Sequence, residues 1–516
     1  MFDNDNAMDD LQNAIKEPNK RFAEIIMTYF EREGFLSEDD IELLLSKEKC
    51  REQFFSDYAI LKLVDINRDL RGQVIDRTNR NRYYLNPHKI NGMYYVMTSQ
   101  FYGLGEQLTH KDNRTPLWQW VIDKSSDSKP VKGEMSPRDQ IENIKQYIMS
   151  KGFKYDGSLV ENFYLSLKSK PFVILAGTSG TGKTRLVKLF AESIGADDKS
   201  KRYKMVPVRP DWSDSSDLFG HVDLNGKFVP GEILEFISRA QSDSDWPYIL
   251  CLDEMNLARV EYYLSDFLSV IETREVKNGG IVSDPLIALE KYGTDTAAMN
   301  KYGEIRFPQN LYLVGTVNMD ETTFPFSKKV LDRANTIEFD YVDLCSIQNT
   351  NGAKINSITA PNSFLETSYL FLKQCMDEDP DFVKDICAEL QKINTVLLTA
   401  NAHVGYRVRD EIVFYLMNNK KTGLLSKEEA LDNEIMQKIL PRIQGSSVSV
   451  KEMLCELFKI LAGDYEGYQT KSNDVAAKMN AKLNKKDAKI DYPKSARKVA
   501  FMVRRFEEDG FTSYWL

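Results

Sequence analysis

Histidine, tryptophan and cysteine are scarce in this chain: 516 residues hold 4, 5 and 6 of them. Cys50, Cys251, Cys345, Cys375, Cys387 and Cys455 are scattered and form no C-x-x-C pair. That pattern argues against a disulfide framework or a cysteine zinc site and predicts a reducing, cytoplasmic setting. His88, His110, His221 and His403 lie far apart and show no metal-ligand spacing. No uninterrupted apolar run approaches the length of about 18 residues that a membrane-crossing helix needs, so no membrane association is expected. Met1-Phe2-Asp3-Asn4-Asp5-Asn6 is acidic and polar, so no secretory signal is expected either. There is no internal repeat and no low-complexity tract. A net charge of −9 argues against a general polyanion binder.

What is present is ordinary globular composition, 42% hydrophobic and 28% charged. The length suits two to four domains. Two zones run against the acidic whole. Residues 62–100 carry seven Lys/Arg against three Asp/Glu, and residues 471–516 carry eleven against six. Such zones are either nucleic-acid surfaces or plain solvated surface.

Residues 8–57 read as two amphipathic helices. Phe22, Ile25, Ile26 and Tyr29 follow the i, i+3, i+4, i+7 rule, and Gly34 is placed to end the first helix. Ser37, with Asp40 three positions on, approximates a capping box for the second. Residues 82–102 read as strands around an Asn91-Gly92 turn. With Arg77, Arg80 and Arg82 nearby, this is either a winged-helix-like module or a plain α+β accessory domain. The pairs Tyr83-Tyr84 and Tyr94-Tyr95 either capture a flipped base or pack. Asp65, Asp69 and Asp76 lack a following E-x-K, so no nuclease centre is expected here. Asp123 to Pro130 is polar and aperiodic and reads as linker.

Phe172-Val173-Ile174-Leu175-Ala176 is a fully apolar run that predicts a buried parallel strand. It leads into Gly177-Thr178-Ser179-Gly180-Thr181-Gly182-Lys183-Thr184, the G-x-x-x-x-G-K-T pattern, and then into an amphipathic helix. Glycines let backbone N–H groups turn inward around phosphate oxygens, and the helix N-terminus adds positive dipole. Lys183 is placed for the β- and γ-phosphates and the Thr184 hydroxyl for Mg²⁺. Seventy residues after Lys183, the apolar run Tyr248 to Leu252 ends in Asp253 and Glu254. Asp253 is placed to hold Mg²⁺, and Glu254 to polarise an attacking water. A third run, Leu311 to Val317, ends at Asn318, which is placed to position that water. Arg333 ends the pattern Ser327 to Arg333. It is either a finger that enters a neighbouring subunit's site or an arginine meeting its own helix dipole.

The loop, Leu252-Asp253-Glu254-Met255-Asn256, Gly315-Thr316-Val317-Asn318 and Leu331-Asp332-Arg333 together resemble an AAA+ NTPase. More narrowly they resemble the McrB-like motor of modification-dependent restriction systems. Tyr406-Arg407-Val408-Arg409-Asp410-Glu411 is similar to a sensor-2 region, and Leu440 to Gly445 to a lid segment. The resemblance implies an α/β core, a parallel sheet flanked by helices, with an α-helical lid. The resemblance covers roughly residues 140–516; with the polar stretch before it read as linker, the chain divides into an N-terminal α+β recognition or accessory domain at 1–121, a linker at 122–137, the nucleotide-binding domain at 138–340, and the lid with the C-terminal segment at 341–516. The resemblance implies ATP or GTP with Mg²⁺, hydrolysed in a hexameric ring. Asn318 would be sensor 1, Arg333 would act in trans, and Arg407 or Arg409 would meet the γ-phosphate. It further implies an McrC-like nuclease subunit as partner and DNA as target. A MoxR-like chaperone that remodels a protein partner is the alternative.

One departure bears on the nucleotide. The GTP-using pattern M-N-x-x-D-R stands here as Val317-Asn318-Met319-Asp320-Glu321-Thr322, and no N-K-x-D-type guanine reader stands in the positions a Ras-like fold would need, which favours ATP. The stretch 275–307, with its Asn278-Gly279-Gly280 turn signal, is either a hairpin near a ring pore or a surface excursion.

Overall fold

The computed structural model describes all residues except 1–13, 32–35, 37, 67, 77–79, 91, 104–111, 127–134, 156, 278–279, 320–323, 340–354, 464–473, 486–487 and 516. It divides into two units, Met1–Ser136 and Pro137–Leu516.

In the first unit the helix Asn19–Phe30 buries Phe22, Ile25, Ile26 and Tyr29, the face whose spacing predicts it. Helices Glu38–Leu45 and Lys47–Phe54 follow, the second capped by the Ser46 hydroxyl, which accepts from the Lys49 N–H. Strands β1 (Leu61–Leu63), β2 (His88–Ile90) and β3 (Met93–Met97) form an antiparallel sheet in the order β1-β3-β2. The tyrosines of this sheet region serve packing. Tyr95 is buried with Phe22, Phe101 and Leu117, while Tyr83 and Tyr94 lie against Val64, Val74 and Val96. The three aspartates are structural as well. Asp69 caps the helix Leu70–Val74, Asp76 pairs with Arg82 at 2.8 Å and Asp65 with Arg68 at 3.2 Å. The helix Arg114–Ser126 runs into the stretch expected as linker, whose part at 127–134 lies outside the described residues, as do Arg77 and Asn91.

The second unit is built on β4 (Phe172–Gly177), β5 (Tyr203–Pro207), β8 (Tyr248–Asp253), β11 (Leu311–Asn318) and β12 (Asn335–Phe339). Their order is β12-β4-β11-β8-β5, and every neighbouring pair is parallel. Side chains alternate faces along a strand, so a continuous apolar run serves two cores at once. Phe172, Ile174, Ala176, Leu250, Leu252, Leu311 and Leu313 enter one core. Val173, Leu175, Ile249, Cys251, Tyr312 and Val314 enter the other. That second core continues without a break into helices Pro380–Leu398, Tyr406–Thr422, Val448–Ala462 and Pro493–Asp509, through residues such as Ile386, Ile412, Leu457 and Val499. The lid and the sheet therefore share one hydrophobic interior.

Two short antiparallel hairpins stand between the sheet strands: β6 (Gly220–Val222) with β7 (Phe228–Pro230), and β9 (Glu275–Lys277) with β10 (Gly280–Val282). The second occupies the stretch expected to be a hairpin or an excursion; its turn residues 278–279 lie outside the described ones. Near the C-terminus, β13 (Gln444–Gly445) pairs antiparallel with β14 (Thr512–Ser513). The helix Pro493–Asp509 buries Val499 and Met502, so the tail completes the lid. No helix among the described residues is long and apolar enough to cross a membrane.

Candidate nucleotide site

The parallel register sets the site. Asn318 of β11 lies beside Gly177 at the end of β4, and Gly315 lies beside Leu252 of β8. The ends of three adjacent strands thus deliver the glycine-rich loop, the Asp253–Glu254 pair and Asn318 to one edge of the sheet. Gly177 takes φ 158°, and a Cβ there would come within 2.3 Å of the Phe339 carbonyl oxygen, so only glycine fits.

Thr178, Ser179 and Gly180 are exposed at the loop's tip, and Gly182 leads into the helix Lys183–Ser193. Lys183 is buried, with its ammonium folded onto the loop. It donates to the carbonyls of Gly177 at 3.0 Å and Thr178 at 2.7 Å and reaches the Thr181 hydroxyl at 3.5 Å. The Tyr155 hydroxyl donates to the Gly182 carbonyl at 3.0 Å and braces the loop from outside.

One oxygen gathers the metal-type ligands. Asp253 Oδ1 accepts from the Thr184 hydroxyl at 2.6 Å and from the Thr316 hydroxyl at 2.6 Å. Thr316 Oγ1 in turn accepts the Glu254 backbone N–H at 3.1 Å. Glu254 sits at φ 53°, a left-handed conformation that costs a β-carbon-bearing residue free energy and recurs at functional sites. Its Oε1 accepts from Asn318 Nδ2 at 2.8 Å, and the Asn318 carbonyl accepts from Asn256 Nδ2 at 3.0 Å. The Tyr263 hydroxyl fixes the Met255 carbonyl at 2.8 Å. A carboxylate, two hydroxyls and no nitrogen or sulfur donor form a hard oxygen set, which suits Mg²⁺. Thr316 and Asn256 received no role from the sequence. The signal for Thr316 was present, since it stands two positions before Asn318 and so shares its face of β11.

Beside the loop opens a cavity of about 1220 Å³. Its walls include Tyr155 and Gly182 from the loop side, Met436 and Gln437 from the lid, and Arg497 and Phe501 from the C-terminal helix. Lys498 of that helix ion-pairs with Glu338 of β12, which anchors the helix to the sheet. Gln437 is spent internally, donating to Asn162 at 2.7 Å and accepting from Ser166 at 2.9 Å.

The three arginines singled out in the sequence are elsewhere. Arg333 donates to the Leu268 and Lys329 carbonyls at 2.9 and 2.8 Å and lies 3.3 Å from the Glu272 carboxylate. Arg407 pairs with Glu272 as well. Arg409 pairs with its neighbour Asp410 at 2.6 Å and lies over the Tyr406 ring. None of the three lines the cavity. Behind them is a buried ionic cluster. Burial lowers the Arg274 guanidinium to about 10, against the attraction of Glu411 and Glu272. Burial alone would raise Glu411, but Lys170 and Lys438, both ion-paired to it, hold its carboxyl below the usual range.

Residues 172–334 match the AAA domain of the dynein-related subfamily, and residues 354–511 match a domain of unknown function. The chain is similar to the Type IV methyl-directed restriction enzyme EcoKMcrB subunit of Escherichia coli (strain K12), 23% identical over 237 residues, 46% of this chain and 45% of that one. It is also similar to the Lon protease of Mycoplasma mobile, 26% identical over 221 residues, 43% of this chain and 23% of that one. The matched part spans less than half the length of either relative. A solved structure from Cytophaga hutchinsonii aligns over 66% of this chain and 90% of its own, at 15% identity and a TM-score of 0.36. The departure at Glu321 and Thr322 lies outside the described residues. Strand order, loop and family match agree: residues 172–334 are an AAA domain of the P-loop NTPase class, and the chain carrying it is similar to a McrB subunit over 237 residues.

Proposed function

We propose that this chain hydrolyses a nucleoside triphosphate, ATP before GTP, in a ring of identical copies, and that the ring is the motor of a two-component, McrBC-like DNA restriction system with a separate nuclease subunit. The observation that carries the hydrolytic part is the Thr184–Asp253–Thr316 convergence with Glu254 and Asn318 joined beside it. In this reading Thr184 and Asp253 hold Mg²⁺, which when bound offsets phosphate charge. Lys183 exchanges its loop carbonyls for the β- and γ-phosphates, because a phosphate oxygen is the stronger acceptor for an ammonium. Gly177 to Gly182 present backbone N–H groups. Glu254 takes the proton of the attacking water, with Asn318 holding the carboxylate in place. Arg497, on the C-terminal helix that lines the cavity, is the lid cation over the chain's own nucleotide.

The restriction part rests on the similarity to the McrB subunit and on the separate N-terminal unit, which is free to serve as a recognition module. Two measurements test the whole. Lys183→Ala abolishes phosphate release from ATP and from GTP; unchanged turnover overturns the hydrolytic assignment. Glu254→Gln, expressed with a tag in the source organism and purified with nucleotide and Mg²⁺, retains its partner. A co-purifying metal-dependent nuclease supports the restriction reading, and a protein client without nuclease activity replaces it with a chaperone-type one.

A further inference from the structure

Glu272 follows the helix Ser265–Val270 and touches neither the glycine-rich loop nor the Asp253–Glu254 pair. Its two carboxylate oxygens hold different arginines. Oε1 lies 3.3 Å from Arg333 Nε, and Oε2 pairs with Arg407 Nη2. Arg333 follows the short helix Lys328–Leu331 that precedes β12, whereas Arg407 is in the first turn of the lid helix Tyr406–Thr422. One acidic side chain therefore ties an arginine of the sheet domain to an arginine of the lid.

The tie is oriented. Arg333 spends Nε and Nη1 on the Leu268 and Lys329 carbonyls, which leaves Nη2 as its uncommitted nitrogen among the described residues. Its side chain is 19% exposed, that of Glu272 22% and that of Arg407 45%. The group is thus open on the Arg407 side. Two guanidiniums around one carboxylate leave an excess positive charge. Like charges this close repel unless something fixes them, and Glu272 does so while leaving donors unspent. A ligand with more than one negative charge, such as a phosphate chain, satisfies both forks better than a single carboxylate does. The chain's own loop does not reach them, since neither arginine bonds to residues 177–184 or lines the cavity beside that loop.

We propose that Glu272 yokes Arg333 and Arg407 into one anion-receiving edge, so that both arginines meet the triphosphate held by an adjacent copy of this chain as a unit. The proposal rests on the reading of the chain as a ring-forming NTPase. Glu272 touches no substrate in it; it is a positioning residue, and Arg407 joins Arg333 on the trans side.

The test uses the full chain and Glu272→Ala, Glu272→Gln and Glu272→Asp. Glu272→Gln keeps the side-chain volume and guards against a folding defect in the alanine variant. Phosphate release at saturating ATP falls by about tenfold or more in the alanine and glutamine variants, the loss of a charge-assisted contact, and Glu272→Asp restores part of it. Affinity for a fluorescent ATP analogue is unchanged in all three. Mixing Glu272→Ala with Lys183→Ala restores turnover, because the second protein brings an intact edge to an intact pocket. Mixing Glu272→Ala with Arg333→Ala restores nothing, because both lack the same edge. Normal turnover in Glu272→Gln, a parallel loss of affinity, or rescue by Arg333→Ala overturns the yoke. Undiminished turnover in Lys183→Ala alone instead overturns the underlying hydrolytic reading.

Discussion

The Asn318 amide donates to the Glu254 carboxylate over 2.8 Å, joining the tips of β11 and β8 across the mouth of the site. Glu254 holds its left-handed backbone because Thr316 receives its N–H and Asn256 ties the following turn to Asn318. A carboxylate so placed is aimed, and the aim depends on its neighbours. Glu254→Gln keeps the hydrogen bond and loses the base, so turnover falls by about 10²–10⁴ with nucleotide still bound. Asn318→Ala keeps the base and loses its holder, at a cost of about 1.5–3 kcal/mol in the barrier, or about 10–150-fold. Steady-state phosphate release beside nucleotide titration separates the two, and an Asn318→Ala protein with full turnover contradicts the arrangement.

The sequence shows the three strands, the loop, Asp253, Glu254 and Asn318 because each is a local signal: an apolar run followed by a change of residue type. It shows the helices of both units through their 3.6-residue spacing, as with Phe22, Ile25, Ile26 and Tyr29. It is silent on what long-range packing decides. Glu272 lies 61 residues before Arg333 and 135 before Arg407, and no spacing rule links them. Arg497 sits on a C-terminal helix whose place over the cavity follows from burial of Val499 and Met502 and from the Lys498–Glu338 pair. The choice between Arg407 and Arg409 was likewise open in sequence, because both occupy one helical turn and differ only in partner, Glu272 for one and Asp410 for the other.

Gly315 illustrates how tightly the core determines the site. A Cβ there would come within 2.0 Å of Met255 Sδ, and Met255 is fully buried directly after Glu254. Gly315→Ala must push Met255 and with it the turn that carries Glu254. Overpacking of this kind costs about 1–3 kcal/mol. Met255→Ala removes the colliding atom, so the double variant is more stable than the sum of the two single losses. Urea midpoints for the four proteins measure this coupling, and strict additivity rejects the collision.

Arg497 and Arg333 serve opposite sides of a subunit in the proposed assembly, and their variants differ accordingly. Arg497→Ala weakens binding of a fluorescent ATP analogue by about tenfold or more, the loss of a cation–phosphate contact. Lys494, which lines the same cavity, gives the smaller effect as Lys494→Ala, since its ammonium is already engaged by Asn433 at 2.8 Å and Glu429 at 3.5 Å. Arg333→Ala lowers turnover without weakening binding. Mixing Arg497→Ala with Arg333→Ala restores activity, because one protein brings the edge and the other the pocket. An unchanged affinity in Arg497→Ala removes it from the nucleotide site.

The lid carries its own pH dependence through Glu434. This residue is fully buried at the start of the π-helical turn Ile435–Ile439, whose Met436 and Gln437 line the cavity. Neither carboxyl oxygen finds a hydrogen-bond partner among the described residues. Burial pushes its pKa up to about 8, with Lys438 opposing and the Glu411 carboxylate adding to the rise. The folded-state value lies above the ordinary 4.5, so between these pH values the folded protein binds the extra proton. Its contribution to stability is complete below pH 4.5 and is lost as pH rises through about 8. Glu434→Gln carries no ionisable group here and keeps the shape. The stability of the glutamine variant relative to the parent therefore rises between pH 5 and pH 8, by up to about 1.4 kcal/mol per unit. Comparing the two proteins cancels the titrations of groups that do not interact with Glu434. Thermal midpoints of both proteins across that range show a widening gap in favour of Glu434→Gln, and a constant gap places Glu434 among ordinary carboxylates.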